Sequence, residues 1–118
     1  MTKTLEYYNE IAIQARNMVR DKFKGSSIAY KNSHNLKTMK GYCADVAQHV
    51  IILLDNQGIE SGLLNVHNPS FDGFNHIAVY VPSDNIIIDG TLNQYVKTND
   101  YAYKKDDYPL KQFVVKNV

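Results

Sequence analysis

A thiol, an imidazole and a carboxylate follow one another along this chain as Cys43, His76 and Asp89. Their types are those that can act together on a carbonyl carbon. The thiolate is the nucleophilic form of cysteine. An imidazole can take and return its proton near neutral pH. A carboxylate can fix the imidazole's tautomer and stabilise its cation. Cys43 stands where an apolar helical period begins, so it is expected at a helix N-terminus. There the helix dipole favours the thiolate, and the free N–H groups of the first turn can hold a developing oxyanion. The backbone N–H of Cys43 is one oxyanion candidate, and the side chain of Asn35, in the preceding loop, is a second. Gly41 would let a substrate backbone approach closely.

Each residue has a plainer reading when taken alone. Cys43 fits a small, inert core cysteine. His76 fits a half-buried structural histidine. Asp89 before Gly90 fits a turn aspartate. Geometry is what links them. Strand alternation puts His76, Ala78 and Tyr80 on one face and Ile77, Val79 and Val81 on the other. If residues 82–85 form a tight hairpin turn, Val81 pairs with Ile86 and Ala78 with Asp89. His76 and Asp89 are then diagonal neighbours on one face, roughly 7–8 Å apart at the backbone, a gap their side chains can bridge. A slip of one residue would send them to opposite faces.

These residues require particular elements around them. Leu5, Tyr8, Ala12, Ala15, Val19 and Phe23 recur at helical spacing, which predicts a helix from about residue 3 to residue 24, ended by Gly25-Ser26-Ser27. Residues 29–40 are polar and aperiodic, a loop with room for one helical turn. Cys43, Ala47, Val50, Ile51 and Leu54 form a second stripe, predicting a helix from residue 42 or 43 to 57, with Gly58 at its C-terminal cap. Strands are predicted over 61–66, 76–81 and 86–91, and Phe113-Val114-Val115 as a last edge strand. The tail tyrosines read as packing residues, with Tyr101 and Tyr103 able to line a groove. The order is two helices, then an antiparallel sheet with the helices on one side. The expected class is α+β, in one domain over residues 1–118.

Composition narrows the function classes. The chain has 118 residues, 44% hydrophobic and 21% charged, with a net charge of +1. That is ordinary for a globular domain and gives no field favouring nucleic acid or an anionic membrane. The single cysteine excludes an intrachain disulfide. No C-x-x-C or H-E-x-x-H spacing joins His34, His49 or His67 to Cys43 in a metal site, so no metal or cofactor is expected. The lysines at 22, 24, 31, 37 and 40 read as a solvated surface, or as a guide for an acidic protein substrate. No apolar run could serve as a signal peptide or membrane span, so the expected location is cytoplasmic, or outside the cell by a route that uses no cleaved signal.

The run Gly41-Tyr42-Cys43-Ala44-Asp45-Val46-Ala47, then Asn75-His76-Ile77-Ala78-Val79-Tyr80-Val81, then Ile88-Asp89-Gly90-Thr91 resembles the transglutaminase-like and papain-like cysteine enzyme superfamily. The resemblance covers roughly residues 41–95. It implies a helix packed on an antiparallel sheet with the triad at their junction. It also implies amide chemistry on a protein or peptide, as a cysteine peptidase, glutamine deamidase or acyltransferase. The sequence departs from that pattern in lacking a Trp beside Cys43, in carrying Gly90 where Pro is common, and in carrying Lys37 where papain-like peptidases have glutamine. So short a chain fits a bacterial or phage protein or an effector domain. A cell-wall peptidase of the NlpC/P60 type is a variant of this reading, against which Asp89 argues. The alternative from another class is a catalytically silent binding module of the same fold, such as an inhibitor, immunity or anti-defence protein.

Overall fold

A computed structural model describes residues 3–24, 39–67 and 75–115. Asn35, His34, the ending predicted for the first helix and most of the predicted 29–40 loop lie outside the described residues.

Helix α1 spans Leu5–Phe23. Thr4 caps it by accepting the N–H of Tyr7 at 3.1 Å. Glu6 in the first turn and Arg20 and Lys22 in the last complement the helix dipole. Helix α2 spans Cys43–Asn56. It ends in a paired cap: the N–H groups of Gly58 and Ile59 bond the carbonyls of Asp55 and Leu54, each at 2.9 Å, with Gly58 at φ +73°. The predicted stripes need two corrections. Leu5 is exposed and Ile11 is buried in its stead, because Ile11, three residues after Tyr8, lies nearer the centre of the buried face. In α2 the stripe is centred on Val46, Ala47, Val50 and Leu54, with Cys43 half-buried at its end.

Strands β1 (Gly62–Val66), β2 (His76–Val81), β3 (Ile86–Ile88) and β4 (Ala102–Lys104) form one antiparallel sheet in chain order. The turn at residues 82–85 closes with the Asn85 N–H on Pro82 O at 3.3 Å. Val81 pairs with Ile86 and Val79 with Ile88, the register predicted from the turn. The third strand is shorter than expected, ending at Ile88, because the chain then bends through Gly90 into a 3-10 turn at Leu92–Gln94. The predicted last strand is reduced to one bridge, Val66 to Val114. Its flanking bonds run from His67 N–H to Phe113 O at 2.7 Å and from Val115 N–H to Asn65 O at 2.9 Å.

Both helices cover one face of the sheet. Tyr8, Ala12, Ala15, Val19, Val46, Ala47, Val50 and Leu54 pack with Val79, Val81, Ile86, Ile88 and Ala102. The opposite face is covered too. Leu92, Tyr108 and Leu110 close over Val66, Ala78 and Ile87. Burial from both sides explains the unbroken run Ile86-Ile87-Ile88, which a strand with one wet face would not carry. The class is α+β. No helix among the described residues is long and apolar enough to cross a membrane.

Candidate active site

The site forms where β3 leaves β2. Their ladder ends at Val79–Ile88, while the Asp89 N–H still bonds Tyr101 O at 2.7 Å, continuing the run of β4. Asp89 is thereby held just past the strand end, on the face that carries His76. The His76 Nε2 and Asp89 Oδ2 atoms are 2.6 Å apart. Both residues are buried, His76 at 1% exposure and Asp89 at 0%. With Nε2 committed to Asp89, the ring nitrogen left for another group is Nδ1, which is buried and has no hydrogen-bond partner among the described residues.

Asp89 has two further partners. The Tyr108 hydroxyl donates to the same Oδ2 at 2.6 Å, and the Thr91 N–H donates to Oδ1 at 3.2 Å. The carboxylate is thus bonded through both oxygens although it lies out of contact with water, which is what a buried charge requires. Tyr95 stands edge-on to the His76 ring, centroids 5.0 Å apart.

Cys43 is the first residue of α2, and Tyr42 at the N-cap supplies no side-chain cap. The first-turn N–H groups therefore receive no cap from Tyr42. Burial raises the thiol pKa, but hydrogen bonding and charge from His76 and the backbone N–H groups of Ile77 and Ala44 more than reverse it, leaving it below the ordinary value. In the other direction, burial lowers the pKa of His76. Its bond to Asp89, the Cys43 thiol and the charges of both outweigh burial and raise it to about 9. A low thiol beside a high imidazole is the condition for a thiolate–imidazolium pair. The N–H of Ile77 reaches the thiol because β2 has lost its β3 neighbour at that point.

Three features place α2. Met39 and Gly41 both have positive φ, +63° and +85°, and the Tyr42 N–H bonds Met39 O at 3.0 Å. Gly41 thus serves the turn into the helix, and that conformation is its structural requirement. Tyr42 is buried, its ring 5.2 Å from that of Phe23 at the end of α1. At Gly90 a β-carbon would run into Val46 Cγ1 on α2. The glycine lets the helix lie directly on the Asp89 loop, and a proline, which has a β-carbon, would not fit.

Arg16 was not legible as a site residue, and it proves to brace that loop from the other side. It is buried, donates from Nη1 to Gly90 O at 2.5 Å and to Asn93 Oδ1 at 3.1 Å, and stacks over the Tyr101 ring at 4.6 Å. The available signal was a charge lying four residues after Ala12 and three before Val19, on the buried stripe. Tyr108 had no such signal, since the tail shows no period. Tyr101 is buried under Arg16 rather than lining a groove, and the half-buried Tyr103 bonds Asp100 O through its hydroxyl at 3.0 Å. His49 bonds its own helix at Asp45 O, 2.7 Å away. Among the described residues no three His, Cys, Asp or Glu side chains gather as metal ligands.

No protein-family model, curated protein or solved structure matches this chain.

Proposed function

We propose that the protein is a thiol hydrolase or acyltransferase acting on protein or peptide amides, of the cysteine peptidase or glutamine deamidase type, with a papain/transglutaminase-like core. The carrying observation is the arrangement at His76. One ring nitrogen is locked to Asp89 at 2.6 Å. The other makes no hydrogen bond of full geometry among the described residues, and the ring interacts with a thiol at a helix N-terminus.

The reaction runs as follows. The Cys43 thiolate attacks the amide carbon, and the carbonyl electron pair moves onto oxygen. The N–H groups of the first turn of α2 face that oxyanion. As it collapses, the C–N bond breaks and the His76 Nδ1 proton passes to the leaving amine, giving a thioester. Water or a second amine then attacks the thioester, His76 takes the attacker's proton, and the thiolate leaves. Asp89 keeps Nε2 protonated throughout.

The test is alkylation of Cys43 by iodoacetamide. At about pH 6 the wild type should react roughly tenfold or more faster than a free thiol, because only an activated cysteine is ionised there. His76→Gln, which keeps the volume, should slow labelling to the rate of an ordinary cysteine. Slow labelling of the wild type itself would overturn the enzyme reading in favour of a silent binding module. Mass spectrometry of glutamine-bearing peptides then separates the small mass gain of deamidation from cleavage.

A further inference from the structure

We infer that Tyr108 is a positioning residue of the Cys43–His76–Asp89 site: its hydroxyl shares Asp89 Oδ2 with His76, fixes the carboxylate rotamer and limits the negative charge presented to the imidazole. The inference rests on the function proposed above for its catalytic meaning, but its geometry stands alone. Tyr108 lies on the C-terminal segment, 19 residues beyond Asp89. It is 1% exposed, and its hydroxyl and the His76 Nε2 are each 2.6 Å from one oxygen. Two donors on one oxygen compete for the same charge. Burial first, and then the Asp89 carboxylate, hold the Tyr108 hydroxyl firmly protonated, well above a phenol's ordinary range. It therefore keeps the proton that it donates to Asp89 Oδ2 while His76 titrates.

The groups that bear on His76 can be named for each neighbouring element. Cys43 comes from α2, Asp89 from the end of β3, and Tyr95 from the turn that follows it. Tyr108 acts through Asp89, with Tyr95 and Tyr103 acting on Tyr108 in turn. Arg16 also acts through Asp89, to which it is electrostatically coupled from α1. Of these, Tyr108 is the hydroxyl that donates to Asp89, and it can be stripped of that donor without changing the shape of the core.

Tyr108→Phe does that. With the hydroxyl gone, Oδ2 turns all of its charge on His76, so the imidazolium becomes more stable. The ring-nitrogen NMR titration of His76 should move upward by about half a unit to one unit, the scale of one charge-assisted hydrogen bond shared between two protonation states. A midpoint that stays put, or falls, while the melting temperature drops would mean that Tyr108 only packs. The titration does not depend on thiol reactivity. A wild type with a sluggish Cys43 but a shifted midpoint in the variant would therefore sink the proposed function and leave this inference standing. Should the variant fail to fold, the wild type supplies the measurement. The buried Tyr108 hydroxyl proton should change its chemical shift as His76 titrates, and a shift that is constant through that titration would overturn the inference.

Discussion

At the scale of single residues the site turns on how Asp89 Oδ2 divides itself between two donors. His76 is buried, and burial by itself would push its proton off. The bond to Asp89, the Cys43 thiol and the charges of both reverse that and carry the imidazole up to about 9. Asp89→Asn keeps the shape and removes the charge, so burial acts against a much weaker opposition. The His76 titration should fall by more than about one unit, and Cys43 should lose alkylation rate at about pH 6 in step with its lost thiolate, roughly tenfold per unit. This is opposite in direction to Tyr108→Phe. The pair of variants separates the charge of Asp89 from its hydrogen-bond sharing, and an upward or absent shift in Asp89→Asn would show that Asp89 does not govern the ring.

At the scale of elements, what could be read from the chain was set by periodicity. Strand β2 stood out because His76 to Val81 is a short run rich in β-branched and aromatic residues bounded by turn residues, and the hairpin register followed because residues 82–85 leave room for one tight turn. Helix α2 was bounded by its stripe and by Gly58. Strand β4 was not legible: Ala102–Lys104 has only three residues, too few for alternation to register. The covering of the second face was equally hidden, since Tyr108 and Leu110 reach it from irregular chain. In the sequence Gly90 reads as a turn glycine and as a departure from a family pattern, and its structural reason is the helix across from it. That reason is testable. Gly90→Ala drives a methyl into Val46 and should cost about 1–3 kcal/mol in urea unfolding, the usual range for overpacking. Adding Val46→Ala opens the space, so the double variant should be more stable than the sum of the two single effects implies. Strict additivity would mean that α2 does not rest on the Asp89 loop.

At the scale of the whole molecule, the opposite pKa shifts of Cys43 and His76 make stability depend on pH in a way that neither residue would alone. The folded-state pKa of His76 is raised to about 9, so its contribution is complete below the unfolded imidazole value of about 6.5 and is lost as pH rises through about 9. The folded-state pKa of Cys43 is lowered, so its contribution is complete above the unfolded thiol value of about 8.5 and is lost as pH falls through the folded one. Between about pH 6.5 and 8.5 the two slopes oppose each other. Where the folded thiol is ionised within that window, the folded pair holds one proton, on His76, and the unfolded chain also holds one, on the thiol. The pair's contribution is therefore flat there, falling off on the acid side as Cys43 protonates and on the alkaline side as His76 deprotonates. Cys43→Ala breaks the balance. His76 stays raised through Asp89, the larger of its two partners, but the unfolded chain no longer carries the compensating thiol proton. Unfolding free energy of Cys43→Ala, measured against that of wild type, should slope downward across the window by up to about 1.4 kcal/mol per pH unit. Parallel curves for the two proteins would show that Cys43 and His76 are not an ion pair in the folded state.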